Sequence, residues 1–283
     1  MSFIVELDIN EDPAKSTIKA VGSLSHIITD EERKTFRIED SALKQAVAAY
    51  FGKIPNDAFV RSPTPWNDLY KTYNWEQVQL HLRVKEAKIT GVSSRPTILL
   101  TQIFNNNSSK PATFDVSISQ DVSDSCEANW STTIGISVTQ SVYYGTRFFG
   151  GETSLTFSAE FQRGGSTQRM VTVGQTSGVM VDLEPGEAVR AKLSADYGTV
   201  QARITWEAFL SGISAVNYNP KYRDHHFWSL AIDGVRQSVN LPGRLEVVED
   251  IEVGFYSNGE ITLEDVDTEK RIAALTTAML RRP

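Results

Sequence analysis

Residues 131–162 read STTIGISVTQSVYYGTRFFGGETSLTFSAEFQ, and no other stretch limits the possible folds of this chain so tightly. Ser and Thr supply 11 of these 32 residues, and Arg147, Glu152 and Glu160 are the charges. In the first arm Ile134, Ile136, Val138, Val142 and Tyr144 alternate with Gly135, Ser137, Thr139, Ser141 and Tyr143. In the second, Leu155, Phe157, Ala159 and Phe161 alternate with Ser154, Thr156, Ser158 and Glu160. Successive side chains of a strand point to opposite faces, so each arm has one apolar and one small polar face, with Gln140 the single break. Pairing Tyr144 with Thr153 sets Val142 against Leu155, Val138 against Ala159 and Ile136 against Phe161, which gathers the apolar residues on one side. The connection from Gly145 to Gly151 then carries Phe148 and Phe149 at its tip.

The length of the arms suits a bilayer. From Ile134 to Tyr144 a strand rising ~3.3 Å per residue spans ~36 Å, and a tilt of ~45° leaves ~26 Å, close to the ~25 Å apolar band of a membrane barrel. Two aromatics at the tip of a hairpin in water are a liability, whereas a tip that crosses a membrane and anchors beyond it gains from them. The same alternation also fits an ordinary hairpin packed on a core.

The rest of the chain sets the context. A helix is expected between Thr29 and Phe51, with Asp30 as N-cap, Phe36, Leu43, Val47 and Tyr50 on one stripe and Gly52 and Pro55 beyond its end. The run Arg61-Ser62-Pro63-Thr64-Pro65-Trp66 reads as a loop, followed by Tyr70, Tyr73 and Trp75 and then by alternation from Val78 to Lys85. From Pro96 to Asp265 the period is two nearly throughout, with Gly, Pro, Asn and Asp at the turns, which predicts antiparallel β structure. Asp267 to Leu280 reads as a short helix with Ile272, Leu275 and Met279 on one side.

Several function classes fall away. A net charge of −7 is wrong for a protein that wraps nucleic acid, and one cysteine, Cys126, builds neither a disulfide nor a thiolate metal site. No stretch approaches the ~18 consecutive apolar residues of a membrane helix, a test blind to strands. The acidic start, Met1 to Asp8, does not read as a secretion signal, so the chain is expected to be intracellular, released by another route or already trimmed. Asn106, Asn107 and Asn129 open Asn-x-Ser triplets, which matter only in a secretory pathway. Asp224-His225-His226 places adjacent histidines on opposite faces of a strand, poor geometry for one metal. The motifs of hydrolases, phosphate loops, dinucleotide folds and zinc proteases are missing, so no enzyme, metal or cofactor is expected.

One ordered set of residues points to a family. Trp130-Ser131-Thr132-Thr133, the Ser/Thr-rich hairpin, a polar Gly-rich stretch, Val179 to Val181 with Leu183-Glu184-Pro185-Gly186-Glu187-Ala188-Val189, and a strand ending at Phe209-Leu210-Ser211-Gly212 resemble the aerolysin and epsilon-toxin/MTX2 type of β-pore-forming protein. The resemblance spans roughly Ile98 to Leu263 and rests on pattern and order. It implies a mostly β, elongated aerolysin-like antiparallel fold: residues 1–95 a mixed α/β region and possible receptor-binding head, 96–266 the pore-forming β region with its insertion hairpin at 131–162, and 267–283 a C-terminal helix or tail.

By that resemblance the chain is secreted or released, binds an unknown glycan or protein receptor, forms a homo-oligomeric ring and contributes one hairpin per protomer to a common barrel. Ile134, Ile136, Val138, Val142, Tyr144, Leu155, Phe157, Ala159 and Phe161 would face lipid, with Phe148 and Phe149 at the tip. Ser137, Thr139, Ser141, Ser154, Thr156, Ser158 and Glu160 would line the lumen, Glu160 favouring cations. Trp66, Tyr70, Tyr73, Trp75, Tyr218 and Tyr222 are candidate receptor contacts, because Trp and Tyr are enriched at interfaces. The competing expectation is a non-lytic lectin-like or egg/yolk-type binding or storage protein on the same fold.

Overall fold

Phe3, Val5, Leu7 and Ile9 are buried and the residues between them are not, a period of two that makes Phe3–Asn10 the first strand, β1. The computed structural model describes residues 3–10, 13–130, 140–148, 151–155, 165–174, 179–276 and 279–281. After a short 3-10 turn, β2 (Thr17–Val21) runs back along β1, and β3 (Ser23–Ile27) follows. The helix α1 (Asp30–Thr35) is capped by Thr29 rather than by Asp30: the Thr29 hydroxyl accepts from the Glu32 amide, and the Glu32 carboxylate accepts from the Thr29 amide. Arg37, at φ 55°, breaks the expected single helix, and α2 (Asp40–Phe51) then runs to Gly52, whose φ of 97° suits a glycine stop. After β4 (Asp57–Phe59) comes α3 (Pro65–Tyr73), in which Trp66, Asn67 and Asp68 have φ of 61°, 59° and 61°, so the proline run leads through a non-helical stretch into the helical residues that follow.

Downstream the described residues are strand almost throughout: β5 (Gln79–Asn105), β6 (Ala112–Val116), β7 (Ser119–Trp130), β8 (Gln140–Phe148), β9 (Gly151–Leu155), β10 (Gly165–Gly174), β11 (Val179–Leu183), β12 (Ala188–Ser211), β13 (Ile213–Tyr222) and β14 (His225–Ala231). One short helix, α4 (Ile232–Gln237), precedes β15 (Arg244–Asp265), β16 (Arg271–Thr276) and β17 (Met279–Arg281). The C-terminal helix expected after Asp267 is thus replaced by strands. Asp265 Oδ1 accepts from the Thr268 amide at 2.7 Å and from its hydroxyl at 2.7 Å, which folds the chain back so that β16 pairs with the open edge of β15. A free ladder overrides a weak helical stripe.

The spine is a sheet in the order β17-β10-β7-β15-β12-β5-β3. One of its inner strands, β12, has 24 residues, so it spans roughly 80 Å at ~3.3 Å per residue. β5 continues unbroken through residues 95 and 96, so the expected division of the chain falls inside one strand. Glu207 on β12 ties three strands together, accepting from Arg83 on β5 at 2.7 Å and from Arg244 on β15 at 2.8 Å.

β12 changes its buried face along its length. Val189, Ala191, Leu193 and Ala195 are buried at one end; Val200, Ala202, Ile204, Trp206 and Ala208 are buried at the other. The switch from odd to even coincides with an extra residue in β15 and another in β5, while β12 gains none. Side chains alternate across a sheet, so the two apolar clusters lie on opposite faces. The odd set packs with the antiparallel β6–β11 pair, which Asn106 pins by donating from Nδ2 to the carbonyls of Leu183 at 2.7 Å and Lys110 at 2.9 Å. The even set forms the floor of a larger core that also includes Phe36, Leu43 and Val47 of the helices. Beyond β12, a small sheet in the order β14-β13-β4 forms the head with α3.

Candidate functional site: a surface hairpin and its seat

The described part of the predicted hairpin lies outside the spine. β8 and β9 are antiparallel and belong to a separate four-stranded sheet, ordered β2-β1-β8-β9. Two bulk features explain the position. Val142 is fully buried with Val5 opposite it, and Phe3, Leu7 and Ile9 extend the same apolar face over the even residues of β12. Phe3 meets Trp206 edge to face, with ring centroids 4.4 Å apart. Residues 141 and 143, on the other face, are only half-buried.

The register differs from the expected one. Tyr144 stands opposite Leu155 and Thr146 opposite Thr153, a slip of two residues that keeps the alternation of faces and lengthens the arms. Gly145, Thr146, Arg147 and Phe148 are therefore strand residues, with Phe148 opposite Gly151, so five residues of the expected seven-residue tip belong to strands. Among the named hairpin residues, Val142, Tyr144, Phe148 and Leu155 and the polar Ser141 and Ser154 are described. Ile134, Ile136, Val138, Phe149, Phe157, Ala159 and Phe161, with Ser137, Thr139, Thr156, Ser158 and Glu160, lie outside the described residues.

The sequence did not disclose what holds β8. It is β1, in parallel register from Phe3 opposite Gln140 to Asn10 opposite Arg147. Parallel pairing of segments more than a hundred residues apart leaves no turn signal to read. The alternation of Phe3 to Ile9 marks β1 as a strand; nothing in it names the partner.

The floor beneath this sheet holds polar groups. The Trp206 indole donates to Glu249 Oε2 at 3.0 Å, and the Tyr256 amide donates to Asp124 Oδ1 at 3.0 Å, both carboxylates being fully buried. Cys126 lies in the same core, and burial, reinforced by the Glu249 charge, pushes its thiol up to about 12.

The candidate receptor residues separate into two groups. Trp66 is 45% and Tyr73 47% exposed. Tyr73 stacks on half-buried Trp75 with centroids 4.8 Å apart, and Phe227 lies 5.1 Å from Trp66 and 6.3 Å from Tyr73. These rings make one surface, to which the sequence reading contributed all but Phe227. Tyr70 and Tyr218 do not share it. Tyr70 is buried with its hydroxyl 2.9 Å from the Phe59 carbonyl and 3.0 Å from that of Ile213, and burial raises its pKa. Tyr218 is buried too, donating to the Lys53 carbonyl at 2.9 Å. Tyr222 is half-buried and donates to the Phe51 carbonyl at 3.2 Å. Amphipathic rings serve cores and interfaces alike, and composition does not separate the two uses.

His226 meets the Tyr218 carbonyl and His225 packs edge-on against Trp228, so neither faces the other. Of the Asn-x-Ser triplets, the first is committed structurally through the buried Asn106. Among the described residues no helix is long and apolar enough to cross a membrane, which leaves strands untested.

No protein-family model matches the sequence. U-megalopygitoxin(8)-Mc8 of Megalopyge crispata is 35% identical over 244 residues, covering 86% of this chain and 85% of that protein. U-megalopygitoxin(8)-Mo12 of Megalopyge opercularis is 32% identical over 256 residues, covering 90% and 89%. In three dimensions the chain is similar to the crystal structure of parasporin-2, a Bacillus thuringiensis toxin that recognises cancer cells, with a TM-score of 0.62 at 14% identity over 93% of this chain and 98% of that one. The fold is the mostly β, aerolysin-like fold of β-pore-forming toxins, as the sequence led one to expect.

Proposed function

The chain belongs to the U-megalopygitoxin(8) family, and from that premise we propose that it is a β-barrel pore-forming toxin that binds target-cell membranes, oligomerises and inserts one hairpin per protomer. Family and fold together support a toxin function. The observation that carries the pore is the position of the amphipathic hairpin. β8 and β9 sit in a small sheet of their own, so they can leave without breaking a ladder of the long spine. Opposed faces of apolar and small polar residues suit first a protein surface and later a lipid boundary around a wet lumen.

The physics orders the steps. A lone hairpin cannot enter hydrocarbon, because its edge N–H and C=O groups would have no partner, so closure of a ring must come before or with insertion. Trp66, Tyr73 and Trp75 with Phe227 would meet the receptor, since exposed rings of this kind tolerate both an apolar and a wet neighbour. No catalytic step, metal or cofactor enters this reading. The chain would act after release, outside the cell that makes it.

Dye release from susceptible cells or vesicles, together with SDS-resistant oligomers and rings in electron micrographs, tests the proposal. Glycan binding without leakage or oligomers would replace it with the non-lytic binding protein.

A further inference from the structure

The edge of β8 that faces away from β9 is occupied by β1 of the same chain, and we infer that this edge is the self-assembly surface of the protein, which β1 covers until the β9 strand of a second copy takes its place. The inference rests on the pore reading above and names the contact that reading requires.

Four observations lead to it. First, β8 pairs with β1 over eight consecutive positions, from Phe3–Gln140 to Asn10–Arg147, so this edge is covered over all of β8 but Phe148. Second, β9 ends the sheet among the described residues, leaving the hairpin with one covered and one uncovered edge. A closed ring of hairpins needs both edges, β8 of one copy joining β9 of the next in a repeated head-to-tail contact. Third, the pairing is parallel. Hairpins side by side place antiparallel neighbours at this edge, and an antiparallel ladder is slightly stronger per residue, so the ladder gained is at least a match for the one given up. Fourth, β1 has other anchors: it pairs with β2 from Ile4 to Asp8, and Phe3, Val5 and Leu7 are buried on the spine. The hairpin can therefore peel from β1 while β1 stays on the body. Covering an edge in this way is also what keeps an isolated copy from pairing in solution.

Two cysteine pairs sharing one residue test the exchange. Glu6 on β1 stands opposite Tyr143 of β8 on one side and Lys19 of β2 on the other. Oxidised Glu6→Cys/Tyr143→Cys locks β1 to the hairpin, whereas oxidised Glu6→Cys/Lys19→Cys locks β1 to the body and leaves the edge of β8 free to open. Native Cys126 is buried with its thiol pushed up to about 12, so it stays out of the exchange. Each variant is compared oxidised and reduced, by leakage of vesicles of phosphatidylcholine, sphingomyelin and cholesterol and by SDS-resistant oligomers on those vesicles, on susceptible cells and in detergent micelles.

The expected result is that the β1–β8 lock abolishes oligomers and leakage, that reduction restores both in the same sample, and that the β1–β2 lock leaves them intact. Full assembly by the oxidised β1–β8 lock overturns the inference while the pore reading stands. Equal loss in the β1–β2 lock overturns it as well, because the block would then not lie at the edge of β8. An unmodified chain that stays monomeric on vesicles, cells and micelles overturns the pore reading, and the edge assignment with it.

Discussion

The indole N–H of Trp206 donates to the carboxylate of Glu249 at 3.0 Å, and both side chains are fully buried. The pair bridges neighbouring strands β12 and β15 on the face that carries the four-stranded sheet. A buried carboxylate that loses a donor keeps its full desolvation cost, so truncating its partner costs more than one average hydrogen bond.

Trp206→Phe should therefore destabilise the fold by about 2–4 kcal/mol, combining the lost donor with lost packing against Phe3. In a Glu249→Gln background the same substitution should cost less, since the charge that needed the donor is gone. Thermal unfolding of the four proteins gives the coupling. Equal costs in both backgrounds would show that the indole matters only as volume.

Glu207 makes stability depend on pH. The Arg244 hydrogen bond, with help from Arg83, holds its carboxylate below the ordinary carboxylate range. A folded-state pKa below the unfolded one contributes stability that is present above the unfolded value, about 4.3, and is lost as pH falls through the folded value. Glu207→Gln should thus have a lower Tm than the native chain at about pH 7, and the gap should close on acidification towards about pH 3. A gap independent of pH would mean that the two guanidinium groups add nothing specific to the charge.

Core and surface aromatics should separate by readout. Tyr70→Phe removes a buried donor between Phe59 and Ile213 and should lower stability by about 1–2 kcal/mol with no change in binding to susceptible cells. Trp66→Ala with Tyr73→Ala should reduce cell binding at nearly unchanged Tm, since both rings are close to half exposed. Urea unfolding beside a cell-binding assay checks both. Loss of binding in Tyr70→Phe at full stability would return that residue to the contact surface.

Much of this architecture is local and therefore legible. Alternation over Val200 to Phe209 or Leu245 to Phe255 reports strands directly, and the fold class follows from the sum. Where the reading failed, distant partners decided. Ile272 and Leu275 look helical until the open edge of β15 offers a ladder, and Met279 until β10 offers another. Tyr70 and Trp66 sit four residues apart in a single aromatic run, and only the fold sends one inward. The hairpin was visible in its own composition, while the strand holding it lies more than a hundred residues earlier in the chain and carries nothing that names its partner. Register was fixed only modulo two, because a slip of two residues preserves every face.

The change of buried face along β12 also bears on how the sequence can vary in length. Loops at either end of the spine can gain or lose residues freely, since they carry no alternation. The stretch between Ala195 and Gly198 cannot: one residue inserted there would bring both buried sets to the same face, leaving either the seat of the hairpin or the ladder under β6 and β11 in water. Length variation among working versions of this chain is confined, at that point of the spine, to pairs of residues or to none.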